Sequence, residues 1–209
     1  MVLGSFARNN LWHTKLMLWT DTAQKSPNKA RVLSGLGLSY WLNGQYDDAA
    51  IVFKKALELD TTLYSAAGTL GLIYDAVDSL ELAVNYYRQA IRVSDSAAVY
   101  MNNLAYTWAV RGLNLEDAKA LSAKSLKKAP DNGSYMDTMG WIEFGLGNDH
   151  DALEWLKRAA KLTPTAAEVH EHIGDVYQRL GQASKAKAAY RRALDLDPEN
   201  ENLKAKLAS

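Results

Sequence analysis

The chain has 209 residues, of which 48% are hydrophobic, and its 24 basic and 24 acidic side chains leave a formal net charge of zero. This balance argues against a nucleic-acid-binding surface, which is strongly basic. The lack of cysteine excludes disulfide bonds, thiolate metal sites and cysteine nucleophiles. No apolar run approaches the roughly 18–20 residues of a membrane span. We therefore expect a folded body that is soluble as given, either cytoplasmic or the soluble part of a membrane protein.

Residues 1–29 are predicted to form a single helix that precedes the regular part of the chain. Apolar residues recur there at helical spacing, namely Leu11, Trp12, Leu16, Trp19 and Ala23. Pro27 ends the segment, because proline cannot continue a helix. We interpret residues 11–25 as the second helix of a degenerate half repeat, which caps the apolar end of the first full unit.

From residue 30 the sequence repeats with a period of about 34 residues. The first recurring small residue is Gly37, Gly71, Ala105, Gly140 and Gly174, and a recurring alanine follows at Ala49, Ala83, Ala118, Ala152 and Ala186. Small residues at these places let two helices approach closely, and larger side chains fill the space between them. The chain's prolines all fall on the closing position of a unit, at Pro27, Pro130, Pro164 and Pro198.

This period predicts five units of two helices each. They cover residues 30–63, 64–97, 98–132, 133–166 and 167–200. Residues 201–209 begin a further first helix, which is short and polar as a C-terminal capping helix should be.

The pattern resembles the tetratricopeptide repeat (TPR) family. The resemblance is carried by Leu36-Gly37-x-x-Tyr40, Leu70-Gly71-x-x-Tyr74, Leu104-Ala105-x-x-Trp108, Met139-Gly140 and Ile173-Gly174-x-x-Tyr177. It implies an all-α fold, a right-handed α-solenoid of antiparallel helix pairs, here with a leading capping helix.

Two residues depart from the family pattern. Glu143 stands where an aromatic residue is expected in a first helix, and Ser122 stands where one is expected in a second helix. We expect these two places to be less well packed, or Glu143 to find a cationic partner such as Arg158 or Lys157.

The N-terminal stretch carries a second, shorter resemblance. The segment ARNNLWHTKLMLWTDTAQKSPNKAR is similar to the stretch that follows the last membrane span in some multi-spanning, O-mannosyltransferase-like membrane proteins with TPR tails. This resemblance implies that residues 1–6 are the cut end of a membrane helix. The alternative is a standalone TPR protein.

The sequence shows no catalytic constellation. His170 and His172 are two residues apart and so point to different sides of a helix, unlike the histidines of an HExxH zinc motif. Glu168, His172 and Asp175 share a helix face, but a solvated polar surface explains them better than a metal site. There is no glycine-rich phosphate loop and no GxSxG motif. We predict a protein that is not an enzyme and uses no cofactor and no metal.

In the TPR family the first helices line a concave groove, and the resemblance implies that this face binds the partner. The implied groove residues are Leu38, Trp41, Leu42, Leu72, Asn102, Tyr106, Asp137, Trp141, Phe144, Glu168, Glu171 and Asp175. Several of them make an apolar and aromatic track, and three carboxylates lie in the fifth unit. An exposed apolar track of this kind marks a binding site. We predict a protein or peptide ligand with apolar anchors and with basic residues toward the fifth unit.

Two known binding modes of the family do not fit this chain. A carboxylate clamp needs Lys, Asn and Arg where this sequence has Ser34, Leu38, Thr69 and Val99. An asparagine ladder needs Asn in successive units, where this sequence has Gly35, Thr69, Asn103, Thr138 and His172.

Three alternatives stay open beside the groove hypothesis. In the first, Trp41 and Phe144 are partly buried under neighbouring helices and serve only packing. In the second, the chain self-assembles into a homo-oligomer, because its groove accepts the N-terminal helix (residues 11–25) or the C-terminal helix of another copy. In the third, it is the recruiting or regulatory tail of a membrane-bound glycosyltransferase-like protein, tethered through a missing N-terminal segment.

Overall fold

The computed structural model describes residues 15–94 and 97–208, and over these residues the protein is entirely helical. Helix α1 covers residues 15–25. The following helices are α2 (Ala30–Leu42), α3 (Tyr46–Leu59), α4 (Tyr64–Ala76), α5 (Leu80–Val93), α6 (Ala98–Val110), α7 (Leu115–Lys128), α8 (Gly133–Gly145), α9 (Asp149–Leu162), α10 (Ala167–Arg179), α11 (Ala183–Leu196) and α12 (Glu201–Ala208). The predicted all-α fold of helix pairs is confirmed. Leu11, Trp12 and the proposed membrane-helix remnant at residues 1–6 lie outside the described residues.

Close approach within the helix pairs depends on glycine facing a large side chain. A β-carbon placed on Gly37 in α2 would lie 2.8 Å from ring carbons of Phe53 in α3, and one on Gly174 in α10 would lie 2.3 Å from the ring of Tyr190 in α11. Both rings are nearly fully buried, with exposures of 2% and 3%. The recurring glycines therefore leave room for the rings that form the core of each pair.

In the third pair, α6 and α7, the residue in the glycine position is larger and the residue in the ring position is smaller. Ala105 takes the place of the glycine and Ser122 takes the place of the ring, and both residues are fully buried. The Ser122 hydroxyl oxygen has no hydrogen-bond partner among the described residues. A methyl group on one helix thus accompanies a small side chain on the other, which preserves burial at this place without an aromatic ring.

The chain divides into two compact units, Met1–Tyr100 and Met101–Ser209. In the first unit, α1 packs on α2. A β-carbon placed on Gly35 in α2 would lie only 2.8 Å from ring carbons of Trp19 in α1. Ala23 of α1 joins a buried apolar cluster with Leu33 and Leu36. Helix α1 therefore covers apolar surface of the first full helix pair, which is what a capping helix does.

The second unit has its own terminal helix. Leu203 of α12 is fully buried against Ala186, Tyr190 and Ala193 of α11. Leu207 of α12 packs against the same cluster and is partly buried, so two leucines anchor the apolar side of this helix to the unit.

Glu143 in α8 is buried, with only 4% of its surface exposed, and it is fully paired. Its Oε1 lies 2.8 Å from the Nζ of Lys119 in α7, and its Oε2 accepts a hydrogen bond of 2.8 Å from the side-chain amide of Asn148. The hydrogen bond and the charge of Glu143 raise the pKa of Lys119 above its ordinary value. An ion pair therefore occupies the space that an aromatic ring fills elsewhere.

Glu143 has the cationic partner that we expected, but this partner is Lys119 and neither Arg158 nor Lys157. The guanidinium of Arg158 lies over the ring of Trp155, 4.4 Å from its centroid. Helix α8 also packs against α7 of the preceding pair, and Glu143 meets its cation across that interface.

We expect Lys119→Met to lower the free energy of unfolding by about 2 kcal/mol, because it leaves a buried carboxylate without its cation. The cost stays below that of a fully buried pair because the Lys119 side chain is 40% exposed. The double variant Lys119→Met/Glu143→Met should regain wild-type stability or exceed it, since apolar residues replace buried ion pairs well. Urea unfolding followed by circular dichroism measures both. A double variant no more stable than Lys119→Met would contradict this account.

Candidate functional site

In the first unit, the predicted groove residues place apolar side chains on one face of α2. Leu38 and Leu42 are four residues apart and therefore neighbours on the helix, and they are 48% and 41% exposed. Trp41 is half-buried, with its ring centroid 4.9 Å from that of Tyr46. Leu72 on α4 is also half-buried. This face of α2 is an apolar surface, here called the α2 patch (Leu38, Trp41 and Leu42).

In the second unit, two predicted groove residues are engaged with each other and with their neighbours. The Trp141 ring on α8 stacks on the imidazole of His172, with centroids 4.1 Å apart, and on the ring of Phe144, with centroids 4.9 Å apart. The guanidinium of Arg179 covers Phe144 at 3.5 Å from the ring centroid. Trp141 and Phe144 are thus half-buried members of a stack that joins α8 to α10.

One member of this stack, His172, also forms a buried carboxylate–imidazole pair with Asp137. Nδ1 of His172 is 2.9 Å from Oδ1 of Asp137, and both residues are 6% exposed. Burial lowers the pKa of His172, but the hydrogen bond and the charge of Asp137, with the charges of Glu168 and Asp175, outweigh it and raise the pKa above its ordinary value. The pair therefore favours a protonated imidazole held against a carboxylate.

Beside this pair, residues from three helices line an open cleft of about 190 Å³. Asn102 and Tyr106 come from α6, Asp137 from α8 and Glu168 from α10. The Tyr106 hydroxyl donates a hydrogen bond to Oε1 of Glu168, whose side chain is 58% exposed. Four of the predicted groove residues thus meet at one place, here called the unit-2 cleft.

The predicted acidic end is largely neutralised within the chain. Lys206 of α12 donates hydrogen bonds of 2.8 Å to Glu171 and 2.7 Å to Asp175, and the Tyr190 hydroxyl donates one of 2.8 Å to Asp175. Burial and the bond to Asp175 raise the pKa of Tyr190 well above its ordinary value. Of the three carboxylates expected to face a ligand, Glu168 is the exposed one.

Among residues 15–94 and 97–208, no cluster of three or more His, Asp or Glu side chains is arranged to hold a metal ion. Within the same part of the chain, no helix is both long and apolar enough to cross a membrane.

The sequence interpretation did not identify three contacts that shape this region, namely those of His172 with Asp137, Arg179 with Phe144, and Lys206 with the acidic end. Asp137 and His172 are 35 residues apart, one position more than a repeat. Such a spacing brings neighbouring positions of successive first helices together, so the contact between Asp137 and His172 could have been predicted by aligning the repeats.

Sequence models of repeat families match several parts of the chain. A model described as TPR repeat matches residues 140–181. A model described as Tetratricopeptide repeat matches residues 30–63 and 167–200, and a second model of that description matches residues 64–96.

Relatives and solved structures agree with these matches. The BBSome complex member bbs-4 of Caenorhabditis elegans is 26% identical over 85% of this chain, which spans 38% of that protein. The protein O-mannosyl-transferase TMTC1 of Homo sapiens is 24% identical over 91% of this chain, which spans 22% of that protein. The crystal structure of the APC/C hetero-tetramer Cut9-Hcn1 contains a chain that matches 94% of this one with a TM-score of 0.82 and 17% identity, and this chain covers 39% of it.

Proposed function

Because this chain belongs to the tetratricopeptide repeat family, whose members are protein-interaction scaffolds, we propose that it binds a peptide segment of a partner protein on its first helices and carries out no catalysis. The ligand has apolar side chains that dock on the α2 patch. Two of the similar proteins are named as parts of multi-protein complexes, which supports a role in assembly.

The observation that carries this proposal is the exposure of Leu38 and Leu42 on α2. They stand on a helix whose other leucines, Leu33 and Leu36, are buried in the core. Burying a leucine side chain stabilises a complex by about 1.5–3 kcal/mol, so two neighbouring leucines and the edge of Trp41 suffice to anchor a short segment.

We expect Leu38→Ala/Leu42→Ala to weaken peptide binding by about 10- to 100-fold, because the variant removes the two apolar anchors. The probe is a synthetic, fluorescently labelled peptide enriched from a random 12-residue display library on the full chain, and the measurement is fluorescence anisotropy. Ile51→Ala is the matched control, since Ile51 is 66% exposed on the second helix α3.

Circular dichroism of the double variant should remain that of the wild type, since exposed leucines contribute little to stability. A library that yields no binding peptide, or a double variant that binds like Ile51→Ala, would overturn the proposal.

A second candidate function is the tail of a membrane-bound glycosyltransferase-like protein. The similarity to the human O-mannosyl-transferase over 91% of this chain favours it. The coding sequence upstream of residue 1 tests it: a continuous reading frame with membrane spans supports a tail, and a stop codon directly upstream contradicts it.

A third candidate is self-assembly through the N-terminal helix. Met17 and Leu18 on α1 are 73% and 61% exposed, which favours contact with another copy. Light scattering after size exclusion, from low to high micromolar protein, measures this. A wild-type monomer at every concentration would exclude it, whereas a dimer that Met17→Ser/Leu18→Ser dissociates would support it.

A further inference from the structure

The unit-2 cleft contains a buried hydrogen-bond acceptor that nothing in the described part of the protein satisfies. Asn102 is only 7% exposed, and its Oδ1 has no hydrogen-bond partner among the described residues. Leaving a buried polar group unpaired is unfavourable. A ligand that brings a donor to this oxygen would recover that loss, so the position is suited to binding.

Of the four hydroxyl groups that line the cleft, those of Tyr106, Thr138 and Thr163 have already used their hydrogens. The Thr138 hydroxyl donates to the carbonyl of Ser134 at 3.1 Å, and the Thr163 hydroxyl donates to the carbonyl of Ala159 at 2.9 Å. The Tyr106 hydroxyl donates to Glu168. Each of these hydroxyls is left with lone pairs only, so these groups can accept hydrogen bonds from a ligand but have no proton to donate.

The fixed charges of the cleft are carboxylates. Asp137 and Glu168 line it, and its lining includes no lysine and no arginine among the described residues. His172 faces both carboxylates, with Nδ1 2.9 Å from Asp137 and Nε2 3.9 Å from Glu168, and it offsets part of the charge of the buried Asp137. Glu168 stays exposed to solvent and to a ligand.

From these contacts we infer that the unit-2 cleft binds the cationic side chain of an arginine or lysine in a peptide segment. This inference rests on the proposed function and adds the chemistry of one recognised side chain. The ammonium or guanidinium donates to Glu168, and its methylene stem lies along the Tyr106 ring. Oδ1 of Asn102 is covered in the free protein, so it accepts from the ligand after a small shift of the side chains that close over it. The volume of about 190 Å³ is several times the roughly 30 Å³ that a water molecule occupies, which leaves room for such a side chain.

This placement differs from the expectation based on the fifth unit alone. Glu171 and Asp175 hold Lys206 of α12, so a ligand would have to displace an internal cation there. At the unit-2 cleft, no lysine or arginine of the described residues has to leave.

The test uses small probes, so that it does not depend on finding the natural partner. Nα-acetyl-arginine methylamide is titrated into the full ¹⁵N-labelled chain, and amide chemical shifts are followed by NMR. We expect saturable shifts at Asn102, Tyr106 and Glu168 with a dissociation constant on the order of 1 mM, which is ordinary for a ligand of about 16 non-hydrogen atoms. The neutral, nearly isosteric citrulline analogue should bind about tenfold more weakly, and the acetyl-glutamate analogue should not bind.

Two variants locate the site. Glu168→Gln, at an exposed side chain, should weaken the arginine probe about tenfold through loss of a charge-assisted hydrogen bond. Asn102→Leu should weaken it about fivefold and raise the midpoint of urea unfolding, because it removes the unpaired acceptor. Glu154→Gln is the matched control, since Glu154 is exposed on the second helix α9, and it should bind like the wild type.

Equal binding of the arginine and citrulline probes, saturable shifts that map away from the unit-2 cleft, or no saturable shift up to about 50 mM would each overturn the inference. If library peptides still bind through Leu38 and Leu42 in that case, the proposed function stands and only the cation subsite is lost. If the arginine probe binds as expected but the library yields no peptide, the proposed function fails and the cleft remains a cation site.

Discussion

Replacing Phe53 by alanine is expected to lower the free energy of unfolding of the first unit by about 3–5 kcal/mol, the cost of removing a buried aromatic side chain. Phe53 is 2% exposed and packs in a cluster with Ala49, Leu57 and Ala66. Ile51 on the same helix is 66% exposed, so Ile51→Ala should change stability by less than about 0.5 kcal/mol. Urea unfolding followed by tryptophan fluorescence and by amide hydrogen exchange measures both variants.

The same site allows a sharper test with Gly37. Gly37→Ala alone gains about 1 kcal/mol of helix propensity, but its β-carbon would lie 2.8 Å from the Phe53 ring, and overpacking costs about 1–3 kcal/mol. Since the buried ring has no room to move, we expect a net loss. In the Phe53→Ala background the clash is gone, so Gly37→Ala should be stabilising by about 1 kcal/mol.

The third pair already has this combination of small residues, with Ala105 opposite the position of Ser122 and both fully buried. The informative result is therefore that Gly37→Ala lowers stability when Phe53 is present and raises it when Phe53 is replaced by alanine. If Gly37→Ala has the same effect with and without Phe53, the glycine is not there to admit the ring.

Removing the charge of Asp137 should have the second large effect, and the size of that effect depends on pH. At about pH 5, below the ordinary histidine value of about 6.5, His172 is protonated. Asp137→Asn then leaves a buried imidazolium without its nearest counter-ion, at a cost of about 3 kcal/mol. At about pH 8 the imidazole in the variant is neutral and still donates to the amide oxygen of the substituted side chain, so the cost should fall to about 1 kcal/mol.

The pH dependence of the wild type follows from the raised pKa of His172. A group whose pKa is higher in the folded than in the unfolded protein contributes stability that is fully present below the unfolded value. This contribution is lost as the pH rises through the folded pKa. Wild-type stability should therefore decrease as the pH rises from about 6.5 through the folded pKa of His172.

Urea midpoints of the wild type and of Asp137→Asn, measured across this range, test both statements. The other histidines of the chain, His13, His150 and His170, are present in both proteins and cancel in the difference. Two curves that stay parallel from acidic to alkaline pH would show that Asp137 does not hold a charged imidazole.

Some features of the predicted groove residues follow from the repeat register, and others do not. Leu38 and Leu42 could be predicted as exposed because the repeat register assigns them to the first-helix face and leaves Leu33 and Leu36 for the core. Asn102 and Asp137 were assigned to the same face, yet both are buried. The register gives the direction in which a side chain leaves its helix, but it does not give the size of the neighbours that close over it.

The sequence by itself determined the helix pairs, because a 34-residue period with glycine, alanine and proline at constant places allows one way of packing each first helix on its second. Contacts between pairs required the tertiary structure. Lys119 rather than Arg158 pairs with Glu143. Lys206 forms ion pairs with Glu171 and Asp175 of α10. These partners lie on different helices, and long charged side chains can reach several neighbours. Which neighbour they meet depends on interhelical distances of a few ångströms, and a one-dimensional pattern of residue types does not contain those distances.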